Sequence, residues 1–299
     1  MYTNLVLAAG GIKGFGIIGC LSTLNKYKIL EYKKLKKIAG SSVGSLIGLM
    51  ITLKYNLDEI EELAIKLPFD KFKKFDINNF FDKYGVDDGE EFMNIFRVII
   101  KKKLGKENIS FSELYKFNNI EYIVVGTCVS DYTTSIFNYK NSPNMSILDA
   151  IRISISVPLV FDVVNYENKI YIDGAISNPY PINIFKNEID KTLGLLMSTR
   201  DKIYEINSIE TYINKIINCM MHNISQRDLD IYYKNTLFIE GLDHISPVAF
   251  DLRVQEKKEI INLGKVSAEK FINRFILRNL IRKYFIIFKN QKNDIQHNN

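Results

Sequence analysis

Twice within the first 55 residues an apolar run stops at glycine and gives way to a helical repeat. Residues 4–8 (Asn-Leu-Val-Leu-Ala) are followed by Gly10-Gly11, the pattern of a short buried strand. Phe15, Ile18, Leu21 and Leu24 then recur at helical spacing. Residues 35–39 read as a second strand cut off at Gly40, and residues 43–55 as a second helix. Strands joined through helices pair in parallel, because the crossover carries the chain back to the same end of the sheet. The chain therefore opens as an α/β protein. Its 299 residues, 46% of them hydrophobic, suffice for one large core or two modest ones.

Three capping patterns, Asp58…Glu61, Asp88…Glu91 and Ser110…Glu113, predict a mostly helical stretch over residues 57–117, broken at Pro68 and Gly85. Further strands are expected over residues 121–126, 133–139, 169–172 and 193–198, with a turn at Ser130-Asp131. A helix is expected over residues 146–156, stopped by Pro158. Beyond Arg200 the pattern is mostly helical. With no internal repeat and no low-complexity linker, the expected organisation is a domain over residues 1–200 with a helical extension, residues 201–299, packed on it.

Several classes are excluded early. No apolar run reaches the ~18 residues of a membrane span; the longest, residues 43–53, is interrupted by Gly44, Ser45, Gly48 and Thr52. The first residues lack the basic start of a signal segment, so a cytoplasmic location is expected. Cys20, Cys128 and Cys219 are too few and too scattered for a disulfide framework or a zinc cage. No metal or cofactor is expected.

Gly40-Ser41-Ser42-Val43-Gly44 fits G-x-S-x-G between a predicted strand and a predicted helix. In that context the serine sits on a sharp turn with its hydroxyl projecting over the sheet edge. Out of context the same pentapeptide is an ordinary Gly/Ser turn. Gly10-Gly11-Ile12-Lys13-Gly14 follows the first strand, and its backbone N–H groups can form an anion nest. Beside a serine nucleophile that nest would be an oxyanion hole; otherwise it is a phosphate loop or a plain turn. Gly14-Phe15-Gly16-Ile17-Ile18-Gly19 also spells the dinucleotide fingerprint. Its glycines fall inside a helical pattern, and the second strand ends without a ribose-binding acid, so nucleotide binding is set aside. Asp173 ends an apolar strand and is followed by Gly174-Ala175, where a turn cap is the ordinary role.

Taken in order, Gly10-Gly11-x-Lys13-Gly14, Gly40-x-Ser42-x-Gly44 and Asp173-Gly174-Ala175 resemble the patatin-like phospholipase family. Residues 145–161 and Asn178-x-x-Pro181-Ile182 add to the resemblance, which covers residues 4–185. Ala9 stands where the family often has a third glycine, and Ala175 where it often has a second. The resemblance implies a three-layer α/β/α fold with a mainly parallel central sheet. It also implies a Ser–Asp dyad, with Ser42 as nucleophile and Asp173 as base, cleaving fatty-acyl esters of phospholipids through an acyl-Ser42 intermediate. An ordinary aspartate, pKa ~3.9, is a weak base, and exclusion of water would raise it. A triad would have to draw on His222 or His244, neither marked by local turn chemistry. The alternatives are an acyltransferase using the same dyad and a catalytically silent lipid-binding or scaffold protein.

Forty Lys and Arg oppose 34 Asp and Glu, a net charge of +6, and only eight of the cations are Arg. Six lysines fall in residues 26–37, and Lys101-Lys102-Lys103 with Lys106 forms a second cluster. Such clusters are solvated faces or contacts with anionic phospholipid, which gains up to ~1 kcal/mol per residue near a membrane. A solvated face is the ordinary reading, peripheral contact with an anionic membrane surface the functional alternative, and no nucleic-acid motif accompanies the charge. Residues 270–292 carry seven cations and no acid; residues 284–288 are apolar all round, favouring a packed terminal helix over an interfacial one.

Overall fold

The structure, a computed structural model, describes residues 2–67, 84–198, 206, 209–247 and 251–297, and of residues 209–210 and 279–297 the backbone alone. Its first half runs β1 (Asn4–Leu7), α1 (Phe15–Lys26), β2 (Lys37–Ser41), α2 (Val43–Thr52), α3 (Leu57–Lys66), β3 (Gly85–Asp87), α4 (Glu90–Leu104) and α5 (Phe111–Asn118). There follow β4 (Glu121–Cys128), β5 (Thr133–Phe137), α6 (Ile147–Ser154), β6 (Leu159–Phe161), β7 (Val164–Tyr166) and β8 (Lys169–Asp173). After 3₁₀ turns over Pro181–Lys191 come β9 (Thr192–Met197), α7 (Ile209–Tyr232), β10 (Thr236–Ile239) and α8 (Val254–His297).

The main sheet has the order β10-β9-β1-β2-β4-β8-β7, with β5 also paired to β4. The strands from β10 to β4 are parallel, β5 and β8 run antiparallel to β4, and β7 runs antiparallel to β8. Alternation along the central strands feeds two cores. Leu5, Leu7, Ile38, Val124 and Leu195 face one, while Val6, Ala8, Ala39, Ile123 and Leu196 face the other. A period of two with both faces buried requires a layer on each side of the sheet. One layer holds α1, α2 and α8; the other holds the Pro181–Lys191 turns and the end of α7, through Ile182, Phe185, Leu229 and Tyr232. The fold is three-layered α/β/α, as expected.

The elements differ from the sequence reading in specific places. The capping box of α3 is Asn56…Glu59, not Asp58…Glu61, because Asn56 is itself a strong cap with Glu59 three residues on. At α4 the cap is Gly89 in the left-handed conformation, φ 72°, and Asp88 Oδ1 accepts from Glu90 N at 3.0 Å in place of the expected box with Glu91. Ser110…Glu113 forms its box. Within the expected helical stretch lies β3, which pairs in parallel with β6 as a separate two-stranded sheet. Pro68 lies outside the described residues.

Beyond residue 208 the described residues form α7, β10 and α8 with a loop between β10 and α8, and β10 extends the main sheet alongside β9. The α8 helix packs along α1, with Ile260, Ile261, Ala268 and Ile272 in the main core. The crossing is close because small residues meet there. A Cβ on Gly19 would lie 1.9 Å from Ile261 O, and one on Gly264 would lie 2.0 Å from Gly16 O. The Cys20 thiol donates to Gly264 O at 3.0 Å. Gly16 and Gly19, which read superficially as a dinucleotide fingerprint, are thus packing glycines. Among the described residues no helix is long and apolar enough to cross a membrane.

Candidate functional site

Ser42 and Asp173 are 131 residues apart in the chain, and β4 brings them together. Val124 and Val125 pair with both β2 and β5, so those two strands flank β4 on opposite sides. β8 pairs with residues 126–128, which β5 also engages, and so lies on the β2 side. The end of β2 and the end of β8 therefore abut. Ser41 registers with Val125, and Asp173 with Gly126, the next residue.

Ser42 follows β2 directly and has φ 52° and ψ −126°, a strained conformation for a residue with a Cβ, costing about 1–3 kcal/mol. The glycines around it make the turn feasible. A Cβ on Gly40 would sit 2.5 Å from the Gly44 carbonyl, and one on Gly44 would sit 2.2 Å from Leu7 O. Ser42 N donates to Ser154 Oγ at 3.0 Å, and Ser45 Oγ donates to Ser42 O at 2.6 Å. The elbow is thus tied to α6 and to the first turn of α2, whose unpaired N–H groups open beside it.

The Ser42 hydroxyl donates to Asp173 Oδ2 at 2.8 Å. Ala175 N donates to Asp173 Oδ1 at 2.7 Å, Asp173 N donates to Ser156 O at 2.9 Å, and Thr127 Oγ1 donates to Asp173 O at 2.8 Å. Gly174 is required beside it, since a Cβ there would fall 2.2 Å from Val125 O. Asp173 is 1% exposed, and that burial pushes its carboxyl up to about 7, against the pull of the Ala175 N–H and the Ser42 hydroxyl. A carboxylate with that affinity for protons is matched to general-base work near neutral pH.

The glycine turn meets this pair unevenly. Gly10 and Gly11 border the space beside Ser42, and the Gly11 N–H makes no hydrogen bond to a described residue. Ile12 N instead donates to Pro247 O at 3.0 Å, and Lys13 N donates to Gly10 O at 3.1 Å. Lys13 is buried and its Nζ donates to Ser198 O at 3.0 Å, tying the turn to the end of β9. Gly14 sits under Val43, whose Cγ2 would lie 2.4 Å from a Cβ there. Gly11 has φ 54°, and a Cβ on it would strike Pro247 O at 2.0 Å.

Ser42 borders two clefts. One, of about 130 Å³, is lined by apolar side chains of α1, α2 and α4, among them Phe15, Leu46, Phe92 and Phe96. Its roof is the β3–β6 sheet, through Val86, Val160 and Phe161. A dry cavity of ~150 Å³ lined by such residues takes up apolar ligands readily. The other cleft also reaches Asp173 and Ala175, and is closed by Asn214, Asn218 and Met221 of α7 and by Pro247. The α7 and Pro247 contributions had no signal in the sequence, since only tertiary packing brings them here. His222 lines a different cleft, with Ser198 and Asp243, and His244 borders neither cleft at Ser42. Among the described residues no cluster of three or more His, Cys, Asp or Glu is placed to hold a metal ion.

Two viral proteins are similar to this chain. Protein R571 of Acanthamoeba polyphaga mimivirus, uncharacterized, is 28% identical over 290 residues, 91% of this chain and 94% of that protein. Probable lipid hydrolase 463L of Invertebrate iridescent virus 6 is 28% identical over 233 residues, 74% of this chain and 78% of that protein. VipD of Legionella pneumophila shares the fold, with a TM-score of 0.63 at 14% identity over 91% of this chain and 67% of VipD. The ExoU–SpcU complex of Pseudomonas aeruginosa gives 0.52 at 15% identity, over 91% of this chain and 51% of the matched one. Residues 5–186, which span both Ser42 and Asp173, match the patatin-like phospholipases, and the chain therefore belongs to the patatin-like phospholipase family and is a lipid ester hydrolase in kind.

Proposed function

We propose that the chain is a lipid acyl hydrolase of the phospholipase A type, working through an acyl-Ser42 intermediate with Asp173 as general base. Asp173 takes the proton of the Ser42 hydroxyl as Oγ attacks the acyl carbonyl carbon. The developing oxyanion is met by the Gly11 N–H and the first N–H groups of α2, in a site with little water to screen them. The proton then passes to the departing alkoxide, and a water repeats the cycle to release the fatty acid. The observation that carries the reading is the 2.8 Å hydrogen bond from Ser42, which borders an apolar cleft, to the fully buried Asp173 carboxylate. No histidine relay is needed when burial already places the aspartate near the working pH.

Product analysis tests this directly. Mass spectrometry of mixed phospholipid vesicles incubated with the protein should show free fatty acid and lysophospholipid in equal amounts. The Ser42→Ala protein should produce neither. Equal product from a folded Ser42→Ala protein would sink the mechanism.

A further inference from the structure

The helix that covers the Ser42–Asp173 pair is apolar on two sides and packed on one. Ile217 and Met221 of α7 meet Ala9 and Ala175, on the side that closes the cleft reaching Asp173. The other side of the same helical turns carries Tyr212, Ile216 and Met220, four residues apart and so on one line along the helix. They are 50%, 43% and 43% exposed, and no residue from 211 to 220 is buried. Farther along, α7 changes character. Its exposed positions become Asn223, Arg227, Asp230 and Ile231, while Leu229 and Tyr232 pack into the second core. Single exposed apolar residues are ordinary; three in line beside a functional cleft mark an interaction surface.

We infer that Tyr212, Ile216 and Met220 form a docking face for an electrically neutral lipid surface, one without net anionic charge. The inference rests on the chain's acting on lipid esters, not on the roles of Ser42 and Asp173. From Thr211 to Met221 the sequence carries one charge, Lys215, and no acid, so apolar burial rather than ion pairing is what this face offers. Tyrosine suits the boundary of a bilayer, its ring apolar and its hydroxyl wet. Position separates a lipid from a protein as occupant. A lipid surface on this stripe lies about one helix diameter, ~10–12 Å, from the cleft, close enough for a lipid to pass from it toward Ser42. A protein seated there would stand between the cover of the cleft and that supply. The lysines of residues 26–37 cannot provide this placement, because they precede β2 whereas Ser42 follows it, at the other end of the sheet.

Vesicle sedimentation tests the inference, with phosphatidylcholine alone and phosphatidylcholine mixed with phosphatidylserine as the two surfaces. The full chain should sediment with both, and about 0.5 M salt should not release it, since apolar burial is not screened. Ile216→Glu and Met220→Glu keep good helix formers at exposed positions and should each weaken binding to phosphatidylcholine by about tenfold. Ile216→Leu and Met220→Leu should bind like the parent. Hydrolysis of the vesicles should fall with binding in the glutamate variants, while turnover of dissolved p-nitrophenyl butyrate stays within about twofold and certifies a folded site. Should a glutamate variant fail to fold, Ile216→Ser and Met220→Ser give the same comparison. Undiminished vesicle binding by the glutamate variants overturns the inference. So does binding that requires phosphatidylserine and is lost in salt, which would assign the contact to the lysines. A parent that elutes as a dimer, with glutamate variants that elute as monomers, also overturns it, the face then being covered by a second copy. Sedimentation involves no turnover and Ser42→Ala should sediment like the parent, so failure of the proposed hydrolysis and failure of this face are distinguishable.

Discussion

Asp173 gains its basicity from burial and loses stability by the same means. With its folded carboxyl at about 7 and an unfolded value of ~3.9, the folded protein binds the extra proton between those two values. Stability from this group is therefore complete below about pH 4 and is lost as pH rises through 7. The proposed base role needs the opposite form. On a neutral ester kcat/KM should rise with pH through a single step centred near 7, and a profile flat across that range would contradict the assignment. Asp173→Asn should abolish turnover while raising stability at pH 8 relative to the parent. Urea unfolding at pH 5 and pH 8 checks the sign, with the larger gain expected at pH 8. The Ser42 turn shows the same trade, its strained φ being held by Gly40 and Gly44 on either side.

At the level of elements, the roof of the apolar cleft depends on one cation. Arg152 of α6 donates to Asp88 O at 3.0 Å, Asp162 O at 3.1 Å and Ser156 Oγ at 2.5 Å. Its guanidinium also lies 5.5 Å from the centre of the Phe161 ring. It thereby fastens the β3–β6 sheet to the helix that supports Ser42. Arg152→Met leaves these acceptors without their donor and should cost about 1–3 kcal/mol of stability. It should also reduce activity on dodecanoyl esters more than on butyryl esters, because only the longer chain reaches the roof; a chain-length series reads both effects. Gly264→Val should separate α8 from α1, since any Cβ there strikes the Gly16 carbonyl. A loss of several degrees in melting temperature, with aryl-ester turnover retained below the transition, is expected.

These elements also show what the sequence could reveal. The strand–glycine–helix units around Gly10 and Gly40 were legible, because local chemistry alone dictates a tight turn there. Asp173 was legible only through the order of the three motifs, since its register against Gly126 is a tertiary fact. Strands β3 and β6 are three residues each, too short for any period to show. Strand β10 was hidden because four residues between two helices carry little pattern. Asn214 and Asn218 look like ordinary helical asparagines until α7 is folded across the dyad.

For the molecule as a whole, the last third of the chain completes what the first two thirds begin. Lys257 of α8 donates to Ile65 O at 3.2 Å and Leu67 O at 2.5 Å, capping α3 at the rim of the apolar cleft. A chain ending at residue 200 would lack this cap, β10 and the cover over α1. It should be insoluble or fail to show a cooperative unfolding transition, which calorimetry or urea titration checks. Charge is distributed with a similar logic. Lys101, Lys103 and Lys106 each pair with a glutamate: Glu107, Glu59 and Glu113. Residues 26–37 join α1 to the start of β2, whereas Ser42 lies at its other end, ~17 Å away along the strand. A membrane held by those lysines would face the end of the sheet opposite the clefts.

The central claim is that Ser42 Oγ carries the acyl group. A fluorophosphonate probe followed by intact-protein and peptide mass spectrometry tests it most directly. The account predicts one adduct per chain, located on Ser42, absent in Ser42→Ala and strongly slowed in Asp173→Asn. An adduct on any other residue, or undiminished labelling of Ser42→Ala, would contradict it.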